Sequence, residues 1–166
     1  MPDKRTTERA KRDAREGKAP STQAGEFVRE EIEHIREGKH GARNTKQAIA
    51  IGLSKARRAG VKLPPPKAGQ AKTTTRRSAA SAYRKGQSGD TEVSPTRSRA
   101  VRSALKREGH SAASKSALAK QAHTAAVKRG PAARSAAAKK AVRTKGPAER
   151  SAAARKAART RARHSG

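Results

Sequence analysis

Large apolar side chains are confined to one part of this chain, and that confinement decides where it can fold. Only 15 of the 166 residues are Ile, Leu, Val or Phe, and nine of these lie between positions 27 and 63. Burial of such side chains is the main favourable term in folding, about 1.5–3 kcal/mol for each fully buried one. A chain with so few of them and a net charge of +29 cannot offset the entropy of ordering its whole length. The sequence therefore predicts one small core.

The best-defined element of that core is a helix over residues 44–60. Asn44, followed three residues later by Gln47, is a capping-box pattern at its start. Gly60 suits the left-handed position after a helix, and Pro64 forbids continuation. The apolar residues between these signals fall on one face at helical spacing: Ile49, Gly52, Leu53 and Ala56.

A second helix is expected over residues 23–37, ended by Gly38. Its apolar residues also share one face: Phe27, Val28, Ile32 and Ile35. The loop 38–43 is short enough to make the two helices an antiparallel pair, packed through these two faces. Val61 and Leu63 can join this core. Such a hairpin is marginally stable, so self-association or a protein partner through residues 22–63 would help it.

The predicted fold class is all-α, with a small helical hairpin core followed by a largely disordered tail of basic alanine-rich helices. The segments are listed in chain order: 1–21, a polar N-terminal segment; 22–63, the hairpin; 64–93, a Pro/Ser/Thr/Gly-rich linker with a short helix over 75–85; and 94–166, the tail. Within the tail a 16-residue unit at 130–145 recurs at 146–161, with glycine and proline as helix punctuation. Like-charge repulsion is expected to keep these helices partly or largely unfolded in free solution.

Charge is distributed very unevenly along the chain. Residues 1–37 carry nine Lys/Arg and nine Asp/Glu, whereas residues 38–166 carry 33 Lys/Arg and four Asp/Glu. The whole net charge therefore lies beyond residue 37. A positive charge of this density is expected to be neutralised by a polyanion, and nucleic acid is the expected partner.

The candidate nucleic-acid-binding residues are the Lys and Arg side chains of the core helix and of the repeats. They are Lys46, Lys55, Arg57, Arg58, Arg102, Lys106, Arg107, Lys139, Lys140, Arg143, Arg155, Lys156 and Arg159. Only Tyr83 and Phe27 could stack on bases, so non-specific binding to the phosphates of double-stranded DNA is favoured. Two alternatives remain: an RNA- or ribosome-associated basic protein, and a protein–protein module at 22–63 with a basic tether.

The residues give little support to enzymatic activity, metal binding or insertion into a membrane. The chain has no cysteine, and it carries no phosphate loop or nucleophile constellation, so we expect neither an enzyme nor a cofactor. His34 and His40 are six apart, which is not the spacing of two ligands on one helical face, and no metal site is predicted. No apolar run approaches a membrane span and the N-terminus has no secretory signal. We expect a cytoplasmic, nucleoid-associated protein.

Two resemblances accompany these residues. The block from Gly25 through Leu53, with GEFVREEI and KHGARNTKQAIAIGL, resembles a family of small, uncharacterised basic bacterial proteins over about residues 20–66. The repeats from position 94 resemble the Ala/Lys-rich tails of bacterial histone-like, linker-histone-type proteins, which implies DNA compaction. The stretch SPTR at 94–97 resembles the Ser-Pro-basic turns of histone tails, but a serine cap before a proline explains it as well.

Overall fold

Capping residues and glycine stops divide the chain into a series of helices. The computed structural model describes residues 2–89, 94–144 and 146–164, and in these ranges the regular structure is entirely helical, as predicted. The α-helices are α1 (Lys4–Arg15), α2 (Pro20–Arg36), α3 (Thr45–Arg58), α4 (Thr73–Ser88), α5 (Pro95–Lys106), α6 (Lys115–Lys128), α7 (Gly130–Thr144) and α8 (Pro147–His164), with a 3₁₀ turn at Ser111–Ala113. None of the helices in the described ranges is both long and apolar enough to cross a bilayer.

The helix expected over residues 44–60 is α3, and its two ends have the predicted chemistry. The Oδ1 atom of Asn44 accepts a hydrogen bond from the backbone N–H of Gln47 at 2.9 Å. The Gln47 Oε1 atom reaches back to the backbone N–H of Arg43 at 2.7 Å. At the other end Gly60 has φ +88°, and Val61 folds back so that its N–H donates to Ala56 O at 3.1 Å. Both predicted boundaries are thus confirmed to within two residues.

Helices α2 and α3 form the predicted pair, but they meet through smaller residues than expected. The buried stripe of α3 consists of Thr45, Ala48, Gly52 and Ala56. A Cβ atom on Gly52 would lie only 2.7 Å from Val28 Cα, so the two backbones are almost in contact there. Ile49 is only half-buried, so the prediction that its side chain is part of the packed core is wrong. Close approach of the helices buries Ala and Gly completely and leaves the longer side chain at the edge.

The larger core residues come from α2 and from the segment after α3. Phe27, Ile32, Ile35 and Val61 are buried, as predicted, and Leu53 and Leu63 pack against the cluster that contains Phe27. These contacts form two small apolar clusters along the α2–α3 interface rather than one.

Packing extends beyond the predicted hairpin to α1 and α4. α1 packs on α2 and buries Thr6, Ala10 and Asp13, although two of these residues are polar. α4 packs on α3, buries Ala79 and Ala82, and covers more of the chain than the short helix expected over 75–85.

The segment after α5 returns to the loop that joins α2 and α3. Four hydrogen bonds hold it: Gly41 N–H to Leu105 O at 2.9 Å, Ala42 N–H to Gly109 O at 3.0 Å, Thr45 Oγ1–H to Ala112 O at 2.7 Å, and Arg36 Nε–H to Ala113 O at 2.8 Å. Ala112 and Ala113 are buried in the cluster around Ile35. Residues assigned to the tail on sequence alone therefore complete the core.

The chain divides into two compact units, one ending at Gln121 and one beginning at Ala122. The first unit contains α1 to α5, the 3₁₀ turn and both apolar clusters. The second contains α7 and α8, which coincide with the two copies of the 16-residue unit.

Candidate nucleic-acid interface

The basic repeats are helices in the structure. α5, α7 and α8 each begin at or beside a proline, and α6 and α7 each end two residues before a glycine. Alanine has the highest intrinsic helix propensity of all residues, and these segments are rich in it. The helical part of the tail prediction is confirmed, whereas the expected disorder finds no support in the structure.

Each of these helices exposes basic side chains. α7 carries four Lys/Arg and no acidic residue, and α8 carries six Lys/Arg and one Glu. All nine tail candidates lie on exposed positions: Arg102, Lys106, Arg107, Lys139, Lys140, Arg143, Arg155, Lys156 and Arg159. Even Val142 on α7 is 49% exposed, so the apolar side of this helix is not buried.

The spacing of the charges places several of them on common faces. Lys139 and Arg143 are four apart on α7, and Arg155 and Arg159 are four apart on α8. Residues at this spacing have Cβ atoms about 5–6 Å apart, and like charges on them destabilise an isolated helix by about 0.2–0.5 kcal/mol per pair. An anion bound along the face removes that repulsion, so these surfaces favour a polyanionic partner.

Helix α3 presents fewer cations to nucleic acid than expected. Lys46 and Arg58 lie on exposed positions, as predicted. Arg57 is only 6% exposed: its Nε donates to Leu63 O at 3.1 Å and its Nη2 to Pro64 O at 3.2 Å. Burial lowers the pKa of Arg57 below its usual range. This corrects the expectation that Arg57 is a cation available to nucleic acid, because its guanidinium ties the proline-rich segment to α3.

Lys55 is also turned inward, toward two glutamates of α2. Glu30 and Glu31, hereafter the buried carboxylate pair, are almost completely inaccessible. The Lys55 Nζ atom lies 2.6 Å from Glu31 Oε2 and 3.6 Å from Glu30 Oε1. Two buried carboxylates require a nearby cation, since an unpaired buried charge is very costly. The expectation that Lys55 is a cation available to nucleic acid is therefore corrected as well.

Two histidines lie beside the buried carboxylate pair. His34 follows Glu31 by one helical turn, and the tight turn at Gly38 brings His40 back toward both. Glu31, His34 and His40 each offer one donor atom, and these three atoms lie within 4.8 Å of one another. Burial, followed by the charges of Lys55 and Lys39, lowers the pKa of His34 below its usual range. The His34 ring is therefore mostly neutral at neutral pH.

Sequence reasoning missed this cluster because it compared only the two histidines. The signal that could have found it is the pair Glu31–His34, three residues apart and hence on one helical face. A turn ended by glycine follows this pair, and it can bring a third side chain onto the same face. The structure confirms that Gly38 has φ +73° and makes this turn.

Comparison with known proteins identifies one family. Residues 4–67, which include α1, α2 and α3, match the family of unknown function DUF6496. This agrees with the resemblance noted for residues 20–66 and extends it to α1. The match ends before the repeats, and the likeness of the repeats to histone-like tails finds no support in it. Neither the curated proteins nor the solved structures contain a match to the chain.

Proposed function

We propose that the protein binds double-stranded DNA through its backbone phosphates, without base preference and without enzymatic activity. The observation that carries this proposal is the set of exposed basic faces on α5, α7 and α8. These helices bury no apolar stripe of their own, yet together they carry a net charge of +13, out of +29 for the whole chain. Cations that neutralise phosphates release condensed counterions, and this release supplies the affinity.

The size and number of the helices suit a long, regular polyanion. At 1.5 Å per residue, the 15 residues of α7 and the 18 residues of α8 span about 22 and 27 Å. Several such helices on one chain bind multivalently, because each bound helix raises the effective concentration of the next. Binding of this kind bridges or compacts DNA, which places the protein in the cytoplasm on the nucleoid.

The residues between the charges also support phosphate binding over base reading. Alanine separates the basic side chains of α7 and α8, and small residues allow a helix to approach a backbone closely. Stacking on unpaired bases needs aromatic side chains, and the repeats from position 94 contain none. Structured RNA offers the same phosphates, so RNA is the second candidate. Competition between the two nucleic acids distinguishes them.

In this proposal the first unit plays a supporting part. Residues 1–37 are neutral overall, and Lys55 and Arg57 serve the core. Lys46 and Arg58 add contacts from exposed positions of α3. A role of residues 22–63 in binding a protein partner or a second copy predicts instead that the chain recruits a specific protein independently of nucleic acid.

The test compares two full-length variants with equal charge changes. The tail variant carries Arg155→Gln, Lys156→Gln and Arg159→Gln, and the head variant carries Lys4→Gln, Lys11→Gln and Arg15→Gln on exposed positions of α1. The slope of log affinity against log salt is negative, and each lost phosphate contact makes it less steep by about 0.9. We expect the slope to become less steep by about 3 in the tail variant and to stay unchanged in the head variant.

Equal effects of the two variants would show that net charge alone, rather than the tail helices, carries the affinity. Competition between duplex DNA and structured RNA, at one salt concentration, separates the two nucleic acids. Preference for RNA by tenfold or more would replace DNA with RNA in the proposal. Absence of binding to either would reject it.

A further inference from the structure

The cluster at the end of α2 contains a charged side chain whose bonding is incomplete. Glu31 has a side-chain exposure of 0%, and neither of its carboxylate oxygens accepts a hydrogen bond. Lys55 lies 2.6 Å from Oε2, but the contact lacks the angular geometry of a hydrogen bond. Buried polar atoms in folded proteins are nearly always hydrogen-bonded, so this carboxylate has an ion-pair partner in Lys55 but lacks a hydrogen-bond partner.

The ring of His40 faces the other oxygen of that carboxylate. His40 Nδ1 lies 3.1 Å from the carbonyl oxygen of Gly41, and a carbonyl can only accept, so Nδ1 carries the proton of this bond. In the neutral ring Nε2 is then an acceptor, and it lies 3.4 Å from Glu31 Oε1. Two acceptors at this distance repel each other unless a proton or a metal ion lies between them.

His34 supplies a third donor to the same point. It lies one turn after Glu31 on α2, and its ring is nearly perpendicular to that of His40, with the ring centres 6.2 Å apart. In tetrahedral zinc sites with bonds of about 2.0–2.2 Å, neighbouring donor atoms lie about 3.4 Å apart. The Glu31–His40 pair already has that separation, and all three donors lie within 4.8 Å.

We propose that Glu31, His34 and His40 bind a divalent transition-metal ion of the zinc type. Two imidazoles and one carboxylate are the donors that Zn²⁺ and its neighbours prefer, whereas Ca²⁺ and Mg²⁺ require oxygen ligands. The bond from His40 Nδ1–H to a backbone carbonyl is the outer-shell contact typical of metal-binding histidines. Three protein ligands leave a fourth position for water or another donor.

Lys55 orients the carboxylate within this site. Its ammonium group lies at Oε2, so Oε1 is the oxygen directed toward His40. The buried carboxylate pair and Lys55 together carry one net negative charge, which favours a divalent cation. The site ties the end of α2 to the loop after Gly38, the loop on which the 105–114 segment docks.

The test is a titration of the metal-depleted full-length protein in the absence of nucleic acid. We expect one equivalent of Zn²⁺ by calorimetry, and for Co²⁺ the strong visible absorption of a tetrahedral site. Loss of an outer-shell partner costs about 10–100-fold in metal affinity, so His34→Gln or His40→Gln should weaken binding by at least about 100-fold. The control is His123→Gln on an exposed position of α6, which should bind as the wild type does.

His34 is half-exposed, so His34→Gln should fold, and circular dichroism of the metal-free variants checks this. Nuclear magnetic resonance of the wild type adds a measurement that needs no variant: Zn²⁺ should shift the ring signals of His34 and His40 and not those of the other three histidines. Wild-type affinity in His34→Gln, or shifts confined to the other histidines, would overturn the proposal. The proposal would also be overturned if the wild type bound Zn²⁺ no more tightly than a variant that carries both His34→Gln and His40→Gln.

Discussion

Replacement of Gly52 by alanine tests the close approach of α2 and α3. An added Cβ would lie 2.7 Å from Val28 Cα and 3.0 Å from Phe27 O, whereas carbon atoms prefer about 3.5–4.0 Å. The obstructing atoms belong mainly to the backbone of α2, so the helices must separate by roughly 1 Å. Overpacking of this kind costs about 1–3 kcal/mol.

Alanine also gains about 1 kcal/mol of helix propensity over glycine, which opposes that cost. Gly25→Ala is the matched control, because Gly25 lies within α2 and an added Cβ there meets nothing within 4 Å. We expect Gly25→Ala to stabilise the first unit by about 0.5–1 kcal/mol and Gly52→Ala to destabilise it by about 1 kcal/mol.

Thermal unfolding followed by the fluorescence of Tyr83 measures the difference. Tyr83 is the one tyrosine of the chain and is half-buried on α4, which packs on α3, so it reports on the first unit and not on α7 or α8. At about 4 °C per kcal/mol, the melting temperatures of the two variants should differ by roughly 6–8 °C. Equal increases in both variants would refute the close helix contact at Gly52.

Three further substitutions test other parts of the fold by the same unfolding measurement. Asn44→Ala removes the side-chain cap of α3 and should cost about 1 kcal/mol; no loss would show that the cap is dispensable. Thr45→Val removes the buried bond to Ala112 O and should cost about 1–2 kcal/mol, with faster proteolysis of the 105–114 segment; unchanged proteolysis would contradict its docking. Lys55→Met leaves the buried carboxylate pair without its cation and should cost about 3 kcal/mol, whereas the exposed Lys46→Met should change stability by less than about 0.5 kcal/mol.

Local signals in the sequence were sufficient to predict α2 and α3 and to mark where α7 and α8 begin and end. The cap at Asn44 and the stop at Gly60 depend on neighbours within a few residues, and both appear in the structure. The same holds for Gly38 and for the punctuation of α7 and α8. Helix punctuation is a property of short segments, so sequence reasoning reaches it.

Contacts between distant segments could not be predicted in the same way. α1 is polar, and an ion pair between Arg9 Nε and Glu26 Oε2, 2.6 Å apart, joins it to α2, which no apolar pattern marks. The 105–114 segment docks through backbone carbonyls, which every residue possesses. Arg57 and Lys55 look like surface residues until their partners, two carbonyls and the buried carboxylate pair, are known.

The candidate metal cluster depends on both kinds of information. The i, i+3 spacing of Glu31 and His34 is visible in the sequence, and it places two donors on one face. The position of His40 depends on the turn at Gly38, and the burial of Glu31 depends on α3. Only the packed structure brings the three donors together.

The central claim is that the exposed basic helices bind nucleic acid through its phosphates. The most direct measurement is the affinity of the full-length protein for a duplex DNA over a salt series from 50 to 200 mM. For about six to ten phosphate contacts we expect a slope of roughly −5 to −9 in log affinity against log salt, which is a loss of about 10³–10⁵-fold over that range. A slope near zero, or no binding at 50 mM salt, would contradict the claim.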